Sequence, residues 1–140
     1  MYKKFLLIVL CLSMCLMFFI NIVYAEQRGD DKSYSPMFTC MRDASINLDI
    51  DSAGKATCTA SLLTYSGYET KVDLELQQYK NSTWQTIKTW TSSSTSTFTS
   101  ISQNYYVVSG NSYRLRGNYY AIQNGSVAES FVSYSDIENY

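Results

Sequence analysis

From Ile46 onward the chain alternates apolar and polar residues with a period of two. Ile46, Leu48 and Ile50 alternate with Asn47 and Asp49. Ala56, Cys58, Ala60 and Leu62 alternate with Thr57, Thr59 and Ser61. Val72, Leu74 and Leu76 alternate with Asp73, Glu75 and Gln77, and Tyr113, Leu115, Gly117 and Tyr119 with Arg114, Arg116 and Asn118. Successive side chains of a strand point to opposite faces, so each run is a strand with one buried face and one wet face. No segment after residue 25 holds a helical period.

Turn chemistry separates these runs at intervals of about ten residues. It occurs at Asp51-Ser52-Ala53-Gly54, Ser66-Gly67, Lys80-Asn81-Ser82, Ser109-Gly110-Asn111 and Asn124-Gly125. The last is the strongest, because Asn-Gly suits a two-residue hairpin in which both residues take positive φ. Further strands are predicted over Trp84–Thr91, which is rich in β-branched and aromatic residues, near Phe98–Ile101, and over Val127–Tyr134. The Ser/Thr run Thr91–Thr97 suits a loop or a polar edge strand. The pattern predicts an all-β sandwich of about seven antiparallel strands.

The N-terminus follows a different rule. Lys3 and Lys4 precede an apolar run, Phe5–Ile20, interrupted only by Ser13, and Val23-Tyr24-Ala25 offers a peptidase cleavage site. This is the order of a secretory signal, with cleavage expected between Ala25 and Glu26. The stretch is also about long enough to span a bilayer, so an uncleaved membrane anchor is the alternative. Cys11 and Cys15 lack the small residues that precede a lipidated cysteine. The expected organisation is a signal peptide over 1–25, a flexible polar leader over 26–44, and one sandwich domain over 45–140. The expected location is extracellular, with no membrane contact once the signal is removed.

Two cysteines, Cys40 and Cys58, follow the signal. An exported chain with an even number of cysteines usually bridges them. The bridge would close a loop of about 19 residues, which stabilises by roughly 3 kcal/mol in the chain-entropy model. Two buried free thiols are the alternative.

At Val108-Ser109-Gly110-Asn111-Ser112-Tyr113-Arg114-Leu115-Arg116 the sequence resembles the E–F corner and strand F of fibronectin type III domains. The resemblance implies an immunoglobulin-like sandwich and makes Tyr113 the corner tyrosine, whose hydroxyl ties back to upstream backbone. Gly54-Lys55-Ala56-Thr57-Cys58, Leu76–Trp84, Trp90, Ser109-Gly110 and Tyr113 together resemble small secreted single-domain proteins of gut Firmicutes. That resemblance covers about residues 45–135 and implies a fold and an exported location, with no activity attached.

The residues exclude much chemistry. The chain has no histidine, which removes the commonest general base and the triads built on it. Cys40 and Cys58 lack zinc-ligand spacing, and no phosphate-binding glycine loop occurs. No cofactor is expected. Asp73 and Glu75 share a strand face and would be the carboxylates of a small hydrolase, but that face is the solvent face. Asp49-Ile50-Asp51-Ser52-Ala53-Gly54 opens like a calcium loop, yet Ala53 and Ala60 stand where ligands belong, and a hairpin turn accounts for it. After cleavage nine basic residues face twelve acidic ones. Without a basic cluster, nucleic acid is not an expected partner.

Tyrosine is the unusual component, with 13 in the chain. Tyr65, Tyr68, Tyr105, Tyr106 and Tyr120 fall in or beside predicted turns. Tyrosines there offer rigid amphipathic contact area, although sheets favour tyrosine in any case. These five are the candidate binding residues. The expected function is a secreted, non-enzymatic binding or adhesion module of a Gram-positive bacterium, whose partner is an extracellular protein or glycan. The alternative is a carbohydrate-binding module in which Trp84, Trp90 or loop tyrosines stack on sugar rings.

Overall fold

The computed structural model describes residues 38–140, eight strands without a helix. They are β1 (Met41–Ile50), β2 (Lys55–Thr64), β3 (Glu69–Lys80), β4 (Thr83–Ser94), β5 (Phe98–Tyr106), β6 (Ser112–Gln123), β7 (Ser126–Tyr134) and β8 (Glu138–Asn139). Three strands form one sheet in the order β1-β2-β5. The other runs β4-β3-β6-β7, with the short β8 also paired to β6. Every pair is antiparallel. Together the two sheets make an all-β, antiparallel sandwich. The predicted signal segment 1–25 lies outside the described residues.

The alternation builds the core directly. Ala56, Cys58, Ala60 and Leu62 on β2 are buried, as are Val72, Leu74 and Leu76 on β3 and Tyr113, Leu115, Tyr119 and Ala121 on β6. Each fully buried leucine or valine contributes roughly 1.5–3 kcal/mol. These buried side chains from both sheets form one core cluster. The Tyr119 ring crosses the gap, and its hydroxyl donates to the Ser45 carbonyl of β1 at 2.8 Å. Burial pushes the Tyr119 phenol up to about 12.

Gly117 makes room for that ring. A Cβ at Gly117 would lie 2.6 Å from the ring of Tyr119, two residues on along the same strand face. Phe131 of β7 then stacks on Tyr119 with ring centroids 4.7 Å apart, and Phe38 covers Phe131 at 4.6 Å.

The turns match their local chemistry. Asn81 and Ser82 (φ 52° and 62°) join β3 to β4, and Asn124 and Gly125 (φ 52° and 76°) join β6 to β7. Both are two-residue hairpins with positive φ at each position, the twist-matched type. The Asp51 carboxylate accepts the backbone N–H of Ala53 and of Lys55, each at 2.9 Å, and so closes the β1–β2 turn. The Ser/Thr run supplies both expected structures: β4 continues to Ser94 as an edge strand, and the β4–β5 connection follows.

Two expectations are corrected. The leader predicted over 26–44 ends sooner, because Met41–Ala44 already belong to β1 and Cys40 and Met41 are buried. A polar leader reads as flexible by composition, but Phe38 and Met41 supply apolar contacts that order its last residues.

The bridge expected between Cys40 and Cys58 does not form: both thiols are free and buried. Strand register is the reason. Cys58 pairs with Leu48, whereas the Cys40 carbonyl accepts the N–H of Tyr65, just past the far end of β2. From Cys58 to Tyr65 is about 23 Å of extended strand at about 3.3 Å per residue. A disulfide needs Cα atoms within about 7 Å.

Candidate functional site

One pole of the sandwich gathers the β2–β3, β4–β5 and β6–β7 connections around a cleft of about 300 Å³. Its lining includes Tyr68 and Glu69 from the first connection, Thr95 and Ser96 from the second, and Gln123 and Asn124 from the third. Hydroxyl, amide and carboxylate groups dominate. No lysine or arginine lines it.

Buried threonines hold this pole in shape. Thr64 ends β2 on its inward face and Thr70 begins β3 on the same face; they are 3% and 1% exposed. The Thr64 hydroxyl lies 3.2 Å from the Tyr68 carbonyl and 3.3 Å from the Thr97 carbonyl, so one donor spans two connections. The Thr64 N–H also donates to Thr97 O at 2.8 Å. The Thr70 hydroxyl donates to the Ser96 carbonyl at 3.2 Å. A hydroxyl buried without a partner costs about 1–3 kcal/mol, so these bonds are mutually enforcing: the threonines need the loop carbonyls as much as the loops need them. By contrast, the side chains of Glu69, Thr95 and Asn124 make no hydrogen bond among the described residues.

The segment leading into β1 closes one side of the same pole. The Glu129 carboxylate accepts three successive backbone N–H groups, from Thr39 at 3.0 Å, Cys40 at 2.8 Å and Met41 at 3.0 Å. Partial burial alone would raise its pKa; the three backbone donors outweigh that and hold it below the ordinary carboxylate value. A bulge on β7 at Ala128, where the register with β6 shifts between Ala121 and Ile122, precedes Glu129. Bulges re-aim side chains in this way. The nearby Cys40 thiol, with the Glu129 charge as a lesser cause, raises the Tyr68 pKa.

The five candidate tyrosines do not form one patch. Tyr65 is 51% exposed at the cleft pole and Tyr68 lines the cleft. Tyr105 and Tyr106 end β5, where they pair with Ala56 and Lys55 at the other end of β2, about 30 Å away at about 3.3 Å per residue. Tyr106 is 72% exposed, whereas Tyr105 turns inward and meets Trp90 edge-on at 6.5 Å. Tyr120 lies on the outer face of β6 beneath the Lys71 ammonium, 5.1 Å from its ring.

Tyr113 belongs to the opposite pole. It is buried, its hydroxyl donates to the Val108 carbonyl at 2.6 Å, and it accepts the Val108 N–H at 3.1 Å. That is the geometry of a tyrosine corner.

The outer face of the five-stranded sheet carries the remaining candidates. The Arg114 guanidinium is sandwiched between the rings of Trp84 and Tyr134, 4.3 Å from each centroid, and Tyr79 meets Trp84 at 5.2 Å. Trp84 therefore gives a ring face to Arg114, and Trp90 packs on Tyr105 and the core. Both indoles are partly buried.

Asp73 pairs with Lys71 at 3.0 Å and accepts the Thr91 hydroxyl at 2.6 Å. Glu75 pairs with Arg116 at 2.9 Å and accepts bonds from Thr86 and Gln77. These carboxylates bind the sheet face together. Among the described residues no three His, Cys, Asp or Glu side chains converge on a common point that could hold a metal.

Comparison with known proteins yields no matching family model and no matching curated protein.

Sequence reasoning missed Thr64, Thr70 and Glu129. A usable signal existed for the first two. Thr64 continues the inward set Ala60–Leu62 and Thr70 opens the inward set Val72–Leu74. A hydroxyl at an inward position beside a connection implies a loop carbonyl to satisfy it. Glu129 shares its strand face with Phe131, an acid where an apolar residue is due.

Proposed function

We propose that this chain is a secreted, non-enzymatic binding module, and that it meets its ligand at the pole formed by the β2–β3, β4–β5 and β6–β7 connections. The carrying observation is the polar cleft there, whose β2–β3 and β4–β5 connections are pinned by the buried hydroxyls of Thr64 and Thr70. Sites pre-shaped by a rigid scaffold bind with less ordering cost, and loops on a sandwich are the usual place for them. Export rests on the signal-like segment and its Val23-Tyr24-Ala25 cleavage site; N-terminal sequencing of protein from the medium checks it, with Glu26 the expected first residue.

The binding reading is tested with the purified chain on immobilised mucins, matrix glycoproteins and cell-wall polysaccharides. Retention on at least one surface is expected. Tyr65→Ala with Gln123→Ala should abolish it, and Tyr106→Ala, at the other pole, should leave it unchanged. Retention on no surface, or loss with Tyr106→Ala alone, would overturn the assignment.

A carbohydrate-binding module remains the second reading. The polar make-up of the cleft favours it, with the contact moved from the tryptophans to the loop pole.

A further inference from the structure

We infer that the cleft takes an uncharged sugar, one or two rings of a neutral glycan. This inference rests on the binding-module reading and names its ligand class.

Four observations carry it. The first is size: about 300 Å³ is at the small end of ligand sites. The second is the character of the lining. Ile122 is the only aliphatic side chain among the lining residues, so little apolar surface is available to a hydrophobic ligand. The remaining groups are hydroxyls, carboxamides, a phenol and a carboxylate. They offer donors and acceptors together, as a polyol requires.

The third observation is charge. Glu69 is the only acidic side chain in the lining, which includes no lysine or arginine. A carboxylate, sulfate or phosphate on the ligand would meet a like charge without a partner, which is a specificity element against anions. The fourth is readiness. The side chains of Glu69, Thr95 and Asn124 are unengaged among the described residues, while the β2–β3 and β4–β5 backbone is held by Thr64 and Thr70. Hydrogen-bonding side chains on a fixed frame recognise a sugar without first giving up bonds of their own. The Tyr68 ring adds an aromatic wall.

A neighbouring protein is a poorer fit, because a stable protein interface covers about 1,000 Å² or more, and a small polar hollow is not such a surface.

Native affinity electrophoresis tests the inference on the full chain. The gels contain neutral polymers (a β-glucan, a mannan, a galactan, a xylan) or anionic ones (polygalacturonate, chondroitin sulfate). Retardation in at least one neutral gel and in neither anionic gel is expected. Asn124→Gly removes the amide but keeps a residue suited to the positive φ of 52°. Combined with Thr95→Val, it should weaken retardation at least tenfold. Tyr106→Ala, at the other pole, should change nothing.

No retardation by any neutral polymer, equal retardation by the anionic ones, or an unaffected Asn124→Gly/Thr95→Val variant would each overturn the inference. If the loop-pole variants abolish retention on the immobilised surfaces while every neutral gel is silent, the sugar assignment falls and the binding module stands. If both experiments are silent, both fall.

Discussion

The Glu129 carboxylate and the Cys40 backbone N–H meet at 2.8 Å, which joins β7 of one sheet to the chain entering β1 of the other. With the Thr39 and Met41 N–H groups beside it, this is a polar tie between the sheets at the cleft pole. The carboxylate titrates lower in the folded chain than in the unfolded one. Its stabilisation is therefore fully present above the unfolded value, about 4.3, and is lost as pH falls through the lower folded value. Glu129→Gln is expected to lower stability at pH 7 by about 1 kcal/mol. Between pH 4.5 and 2 the gap between variant and wild type should narrow. Urea midpoints across pH check it; a constant gap would show that the carboxylate charge plays no part.

The thiols should behave as two separate buried groups. Burial pushes Cys58 up to about 12, so the thiolate needed for reaction is nearly absent at neutral pH. Intact mass is expected to be the same with and without reductant. Cys58 should resist a thiol reagent in the native chain and react in 8 M urea. A mass change of two protons on reduction would contradict the strand register of β1 and β2 as well as the free thiols.

Tyr113→Phe removes the hydroxyl that both donates to and accepts from Val108. It should cost roughly 0.5–1.5 kcal/mol. Tyr113→Ala also opens a cavity and should cost roughly 3–5 kcal/mol. Tyr120→Ala, on the outer face of the same strand, should be mild. Urea unfolding of the three variants ranks them. Tyr120→Ala proving costlier than Tyr113→Ala would reverse the faces of β6.

Ser82 holds a φ of 62°, a conformation its Cβ disfavours. Ser82→Gly turns the Asn81-Ser82 hairpin into the Asn-Gly sequence that suits it best. Stability should rise by about 0.5–1 kcal/mol, read as a higher thermal midpoint. Gly125→Ser, the converse change at a φ of 76° in the other hairpin, should lower it by a similar amount.

Gly117→Ala places a Cβ about 2.6 Å from the Tyr119 ring, which is stacked on Phe131 and hydrogen-bonded through its hydroxyl to Ser45. The expected cost is roughly 1–3 kcal/mol, as for other overpacked cores. Restored stability in Gly117→Ala with Tyr119→Leu would show that the clash with the ring is the cause.

The period of two determined the strands, their inward faces and the turns between them, because alternation and turn chemistry act over a few neighbouring residues. Leu62, Val72, Leu74, Leu115 and Tyr119 are inward for that local reason alone, and Asn124-Gly125 turns for the same kind of reason. The sandwich followed, since several one-faced strands have few other ways to bury those faces. Tertiary structure decided everything that depends on which distant residues meet. The β1–β2 register sends Cys40 to one end of β2 and leaves Cys58 well inside it, and cysteine spacing carries no trace of that. The strand order brings Tyr65 and Tyr68 to one pole and Tyr105 and Tyr106 to the other, though all four lie beside turns. Thr64, Thr70 and Glu129 acquire their roles from carbonyls and N–H groups between 4 and 90 residues away. The cleft exists only where three connections, separate in sequence, are folded to the same end of the two sheets.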